Sequence, residues 1–207
     1  MNAEVCQKLQ ETNGEIFMER NSQNSQGYKL ESQIREAYGR VTYTQTTQNK
    51  KANRLIKLDN RIKISQIVLS AITTSGFVVT VILNDTTASI IGAIVSLALL
   101  VLNSYMKNFN LAETAQEHIA AADSLWKIRE EYVSLLTDFE ILTLEEIMIK
   151  RDNLQERTFQ VYCNSPKTDM KSYSDAQKAL KTEEEQTFSE EEIDVMLPNS
   201  IRRNNRD

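Results

Sequence analysis

The chain of 207 residues contains few of the residue types that build catalytic centres: one histidine, two cysteines and five glycines. It has no glycine-rich phosphate loop, no Gly-x-Ser-x-Gly elbow and no cluster with metal-ligand spacing. Cys6 and Cys163 stand far apart in the sequence and supply too few ligands for a metal site. These absences predict a protein that is not an enzyme and that uses no cofactor.

Charge is missing from two adjacent apolar runs, residues 64–83 and 88–106. A helix rises about 1.5 Å per residue, so each run of roughly twenty residues covers the ~30 Å hydrocarbon core of a bilayer. One unbroken helix would bury Asp85 near the membrane centre, at a cost on the order of 3 kcal/mol. We therefore expect a turn at Asn84 and Asp85. A buried hairpin of a soluble protein is the alternative, but the remaining chain is too short and too charged to enclose it.

Lysine and arginine are absent from this turn and frequent at the opposite ends of the runs. Lys107 follows the second run, and six basic residues precede the first: Lys50, Lys51, Arg54, Lys57, Arg61 and Lys63. Positive residues remain in the cytoplasm, so we expect a multi-pass protein with both termini cytoplasmic and no disulfide. The six are expected to meet anionic lipid head groups. No direct nucleic-acid binding is expected, because they abut a span and lack aromatic stacking partners.

Helical spacing of apolar residues continues on both sides of the predicted hairpin. It predicts cytosolic helices over residues 29–63 and 110–165, which form one two-transmembrane domain with the hairpin. Residues 42–48 lack an apolar stripe, and a bend or loop is expected there. Residues 1–28 form a polar segment with a short separate helix followed by a flexible stretch at 21–27. Residues 166–207 hold short helices and a polar tail, with capping signatures at Ser174 and Ser189.

The segment from Leu111 to about Tyr162 is predicted to be one long helix with a heptad-like seam. His118, Arg129 and Tyr132 lie on the seam, and Trp126 lies on a neighbouring stripe. The upstream helix is the expected partner, so the fold class is all-α: a two-helix transmembrane hairpin with a cytosolic helical coiled stalk. We expect His118 to hydrogen-bond across the helix interface, with pH sensing as the alternative.

Small and polar residues recur at helical spacing inside both predicted spans. The first span carries Gln66, Ser70, Thr73 and Thr80 along one side, and the second carries Ala88, Gly92 and Ser96. Two interpretations remain open for the first set: helix packing with hydroxyls bonded to their own backbone, or side chains that line a water-filled pore. For the second set, close helix packing is favoured. A single hairpin cannot enclose water, so a pore requires a homo-oligomer.

Two groups of residues have the pattern of a known family. The first comprises Glu117, His118, Ala121, Ala122, Leu125, Trp126, Arg129, Glu130, Tyr132, Leu135 and Leu136, and the second comprises Glu191, Glu192, Ile193, Asp194, Leu197 and Pro198. Together with the basic lead-in and the two spans, this pattern resembles the SLATT family, the SMODS and SLOG-associating two-transmembrane effector domains.

The resemblance implies an antiphage effector of the bacterial inner membrane. Such a protein is held inactive until a partner sensor, such as a nucleotide synthase or a reverse transcriptase, reports infection, and it then forms pores that depolarise or kill the cell. A non-conducting inner-membrane adaptor that recruits cytosolic partners fits the same topology and is the alternative.

Overall fold

The computed structural model is all-helical, with no strand among the described residues. It describes the backbone of residues 3–83 and 86–203 and the side chains of residues 25–76, 87 and 89–203. The helices of this part of the chain are α1 (Ala3–Leu83), α2 (Thr86–Asn108), α3 (Leu111–Thr137), α4 (Leu144–Asn164), α5 (Met170–Lys181), α6 (Glu190–Met196) and a 3-10 helix (Asn199–Ile201). The predicted all-α class is confirmed.

Helix α1 runs without interruption from Ala3 to Leu83, so two predictions about it are wrong. No separate N-terminal helix is divided from the rest at residues 21–27, and no bend occurs at residues 42–48. The hydroxyls of the threonines in the second segment donate to carbonyls four residues back, and four consecutive side chains there are buried: Gln45, Thr46, Thr47 and Gln48. Packing against other helices overrides the low helix propensity of this segment.

The predicted single helix from Leu111 to about Tyr162 is also wrong, because α3 ends at Thr137 and α4 begins at Leu144. Thr143 and Glu146 form a capping box: the Thr143 hydroxyl accepts from the Glu146 N–H at 3.3 Å, and the Glu146 carboxylate accepts from the Thr143 N–H at 2.9 Å. Such a box satisfies the free N–H groups at the start of a new helix. The turn before it folds α4 back against α3.

The hydrophobic core lies where α1 packs against α3, and α4 packs mainly on α3. The spacing of three and four residues places the apolar side chains of each helix on one face. Fully burying a large aliphatic or aromatic side chain stabilises a fold by roughly 1.5–3 kcal/mol. The core residues include Leu30, Ile34 and Val41 from α1, Leu125, Ile128, Tyr132 and Leu135 from α3, and Ile147 and Leu154 from α4.

Helix α5 lies against α1 and begins immediately after Asp169, whose carboxylate accepts from the Ser172 N–H at 2.8 Å. The predicted cap at Ser174 is therefore wrong, because that residue lies inside the helix. The capping box predicted at residues 189–192 is confirmed at the start of α6. The buried residues of α5 are all small: Ser172, Ala176 and Ala179.

Candidate functional site

Helix α2 presents an apolar surface that no other described residue covers. A helical stretch, Ser89–Thr137, contains an 18-residue window of mean hydropathy 1.9, long and apolar enough to cross a membrane, and none of this window is buried. It is the one such stretch found among the described residues. Ile90, Ile91, Ile94, Leu97, Leu100 and Val101 are each more than half exposed. A patch of this kind marks contact with lipid or with other chains; the second span of the predicted hairpin stays a prediction.

The C-terminal part of α1, which holds the first apolar run, packs against α2. Gln66 Nε2 donates a hydrogen bond to Asn103 Oδ1 at 2.9 Å, which pairs two polar side chains between otherwise apolar helices. The predicted turn residues Asn84 and Asp85 lie outside the described residues. The contact nevertheless places the beginning of the first apolar run beside the end of the second, as expected for two antiparallel helices.

Within the polar stripe of the first run, Gln66 bonds to α2 and Thr73 bonds to its own helix. The Thr73 hydroxyl donates to the Leu69 carbonyl at 2.9 Å, and Thr74 and Ser75 donate to carbonyls four residues back in the same way. Ser70 is exposed and Thr73 is half-buried, while the side chain of Thr80 lies outside the described residues. A hydroxyl bonded to its own helix needs no water or neighbouring helix.

The small-residue stripe of α2 faces open space in the single chain. A Cβ added at Gly92 would meet no heavy atom within 4 Å. Ser96 is exposed, and the side chain of Ala88 lies outside the described residues. No described side chain of α1 therefore approaches Gly92 closely.

Two aromatic rings stand at the end of α2, where the predicted span returns to the cytoplasm. The ring centroids of Tyr105 and Phe109 are 4.8 Å apart, and both side chains are exposed. Aromatic residues are enriched at the membrane–water interface, and Lys107 between them suits the cytoplasmic side.

A layer of buried polar side chains joins α1 to α3. His118 is 1% exposed, and its Nδ1 is hydrogen-bonded to Oε1 of Gln48. The Gln48 amide also donates from Nε2 to the Pro166 carbonyl at 3.3 Å. Burial, and secondarily the charge of Lys51, lower the pKa of His118, while Asp169 opposes them. This arrangement fixes α1, α3 and the segment at Pro166 relative to one another.

Residues 166–186, named here the α5 clasp, are tied to α1 by charge. Asp169 accepts from Lys51 Nζ at 2.7 Å and from Arg54 Nη2 at 3.0 Å, and Lys50 pairs with Glu185 at 2.7 Å. The hydrogen bond from Lys51, followed by the N–H of Ser172, holds the pKa of Asp169 well below its usual range. The expectation that all six basic residues meet lipid head groups is therefore corrected, because the clasp engages half of them.

Gln186 lies at the end of the clasp, has an uncommon backbone conformation, and holds the clasp in place through its side chain. Gln186 has φ of 73° and Glu184 has φ of 52°, both in the left-handed region. Gln186 Nε2 donates to the Thr46 hydroxyl at 3.0 Å, and its Oε1 accepts from Arg129 Nη1. A left-handed non-glycine residue costs roughly 1–2 kcal/mol, which these contacts to α1 and α3 offset.

Four residues of the family pattern on α3, His118, Trp126, Arg129 and Tyr132, point in different directions. His118 and Tyr132 are buried, and burial raises the pKa of Tyr132. Arg129 is half-buried and pairs with Glu130 at 2.8 Å. Trp126 is 51% exposed on the outer surface. The seam therefore supplies core residues, and the neighbouring stripe faces outward.

Three residues whose side chains make structural contacts were missed in the sequence. Asp59 is buried and pairs with Lys63 at 2.7 Å, a contact that the spacing of four residues could have indicated. Asp169 stands one residue before a helix, which is an N-cap signal. Gln186 carries no sequence signal. Within the described part of the chain, no group of three His, Cys, Asp or Glu residues could hold a metal ion.

An all-helical chain with a long, uncovered apolar helix and a basic segment leading to it has the features of a helical membrane protein. Residues 30–192 match the SMODS and SLOG-associating 2TM effector domain family 4, and the chain belongs to this family. The resemblance seen in the sequence is thereby confirmed. Neither the curated proteins nor the solved structures include a match to the chain. Membership implies a membrane effector of antiphage systems that works with SMODS or SLOG partners.

Proposed function

We propose that the chain is an oligomeric, pore-forming effector that depolarises or kills an infected bacterial cell. Its two spans cross the inner membrane with both termini in the cytoplasm. A partner sensor, such as a nucleotide synthase or a reverse transcriptase, triggers it, and the cytosolic helices transmit the signal to the hairpin. The chain acts without catalysis and without a cofactor.

The observation that carries this proposal is the uncovered apolar surface of α2 in a member of a two-transmembrane effector family. Lipid covers such a surface at no energetic penalty, whereas water does not. The open space at Gly92 supports an oligomer, because a small residue without a neighbour among the described residues allows close approach by another copy. Several copies are needed, since two helices cannot enclose a water path.

A non-conducting adaptor is the second candidate, and a specific observation favours it. The hydroxyls of Thr73, Thr74 and Ser75 are bonded to their own backbone, as in helices that pack without lining water. In this function, the exposed surface around Trp126 recruits a cytosolic partner to the membrane. Ion flux separates the two candidates because only the effector conducts.

The test is to express the chain together with its neighbouring sensor genes and to follow membrane potential during phage infection. We expect depolarisation that requires both the sensor and the chain. In parallel, the purified protein in liposomes should release a trapped ion when the triggered sensor is added, with liposomes that hold the chain without the sensor as the control. Full polarisation in triggered cells that contain the inserted protein would contradict pore formation and leave the adaptor.

A further inference from the structure

The basic residues ahead of the first apolar run form a single stripe on α1. Lys50, Arg54, Lys57 and Arg61 follow spacings of four, three and four residues, which place them on one helical face. At about 1.5 Å per residue, Arg61 and Lys57 lie roughly 5 and 10 Å before Ile64 along the helix axis. The end of this basic stripe therefore reaches the head-group layer of a membrane crossed by the first run.

The membrane-distal half of the basic stripe is covered by the α5 clasp, and the other half is open. Lys50 pairs with Glu185, and Arg54 donates to Asp169 and to the Ser172 hydroxyl, at distances from 2.7 to 3.0 Å. Lys57 and Arg61 are exposed, and neither is in an ion pair with a described residue.

A cavity of about 330 Å³ separates the clasp from this face of α1. Four cations and two carboxylates line it: Lys50, Arg54, Lys57, Lys178, Asp175 and Glu183. Lys50, Arg54 and Lys178 are already paired with Glu185, Asp169 and Glu183, so an added anion is attracted first to Lys57, the one lining cation without an ion pair among the described residues. Arg54 Nε lies buried beside it without a hydrogen-bond partner among the described residues.

The clasp is attached in a way that favours release. Its buried helical residues are Ser172, Ala176 and Ala179, which contribute little apolar area to the contact. The attachment depends instead on ion pairs at partly exposed sites, on Gln186 in its left-handed conformation, and on the stacked rings of Tyr43 and the exposed Tyr173, whose centroids are 6.0 Å apart. Another anion can therefore replace the carboxylates of the clasp without breaking a hydrophobic core.

We propose that the phosphate groups of anionic lipids compete with the α5 clasp for the basic stripe of α1. Head groups first bind the open Arg61 and Lys57, and they then displace Asp169 from Arg54. The displaced clasp withdraws Glu185 from Lys50 and Gln186 from its position between α1 and α3. This inference rests on the proposed membrane hairpin, because the first span brings the stripe to the lipid surface.

The experiment measures amide hydrogen exchange of the full chain in two kinds of nanodisc. One contains phosphatidylcholine alone, and in the other about a third of the lipid is phosphatidylglycerol. Exposed ion pairs shift an opening equilibrium by roughly two- to fivefold each, so exchange in α5 should be about fivefold faster in the anionic discs. Exchange in the middle of α3 should not change.

Two variants and one matched control test the proposed competition further. Asp169→Asn keeps a good helix cap but removes the charge, so α5 should exchange faster even in phosphatidylcholine. Asp123→Asn, at an exposed position of α3, is the matched control, and in it α5 should exchange as fast as in the unmodified chain. The double change Lys57→Gln and Arg61→Gln leaves the clasp contacts intact and should abolish the effect of phosphatidylglycerol.

Equal exchange of α5 in both discs, or a lipid effect that survives the double change, overturns the proposed competition. Residues 64–76 report separately on the hairpin in the same data. If lipid does not protect their amides, the proposed membrane insertion fails. If the amides of residues 64–76 are protected while exchange in α5 is the same in both discs, the proposed hairpin is supported and only the proposed competition is contradicted.

Discussion

Gln48 on α1 and His118 on α3 are hydrogen-bonded although 70 residues separate them. The Gln48 amide donates from Nε2 to the Pro166 carbonyl, so its Oε1 is the acceptor that faces the ring. The neutral imidazole must therefore carry its proton on Nδ1. One amide thus connects α1, α3 and the start of the α5 clasp, and it does so only while His118 is held in this orientation.

Protonation of His118 should destabilise the fold. Because burial depresses the folded pKa below 6.5, the unfolded chain binds a proton that the folded chain does not. The contribution of neutral His118 to the free energy of unfolding is fully present above pH 6.5, and it is lost as the pH falls through and below that value. We expect the midpoint of thermal unfolding in detergent to fall between about pH 7.5 and pH 5.5.

The matched variant is His118→Asn, which keeps an N–H donor near the position of Nδ1 but does not titrate. Its unfolding midpoint should change less over the same interval. Carboxylates with lowered pKa, such as Glu131 beside Arg157, lose their contribution only below about pH 4.5 and do not confuse the comparison. An equally steep decline in both proteins would show that His118 is not the titrating group.

Two isoleucines on α4 offer a direct test of the core. Ile147 is 1% exposed and Ile149 is 62% exposed. Ile147→Ala should lower the free energy of unfolding by about 2–4 kcal/mol, because it leaves a cavity among α1, α3 and α4. Ile149→Ala should change it by no more than about 0.5 kcal/mol. Similar losses for the two variants in denaturant titrations would contradict the observed position of α4.

Gly92 is the expected contact point between copies in the membrane. Gly92→Leu fills space that is open in the single chain, so the monomer fold should survive while the oligomer dissociates. Chemical cross-linking in native membranes measures this change. Ala93→Leu, one residue further around α2, is the size-matched control and should retain the oligomer. Equal cross-linking of all three proteins would remove Gly92 from the interface.

Thr73 is the central test of the polar stripe in the proposed pore. Thr73→Leu should reduce ion flux from liposomes without preventing insertion, because leucine is more favourable in lipid and removes a polar group from the water path. Thr74→Leu carries the same change on the neighbouring, exposed face. Flux that is unchanged by Thr73→Leu, or reduced equally by both variants, would exclude Thr73 from the pore wall.

The sequence could predict features that depend on neighbouring residues. Helical periodicity predicted the all-α class, and the Ser189 to Glu192 spacing predicted the start of α6. The same kind of spacing at Thr143 and Glu146 marked the start of α4, but the apolar seam running through it favoured one continuous helix. A capping box acts within one turn, so it ends or begins a helix even where the apolar pattern continues.

Features that depend on distant residues could not be predicted in this way. Residues 42–48 have low helix propensity, and only their burial against other helices keeps α1 continuous. The basic residues Lys50, Lys51 and Arg54 carry no sign that their partners lie more than a hundred residues further along the chain. The left-handed conformation of Gln186 depends in the same way on contacts to α1 and α3.

The helical class, the apolar runs, the basic segment ahead of them and the family could all be predicted from the sequence, because each is a local pattern of residue types. The folded structure was needed to show which cations the clasp neutralises, where the long helices end, and that His118 bonds to Gln48. Those outcomes depend on which side chains meet across helices, and burial and charge pairing there outweigh the preferences of any short segment.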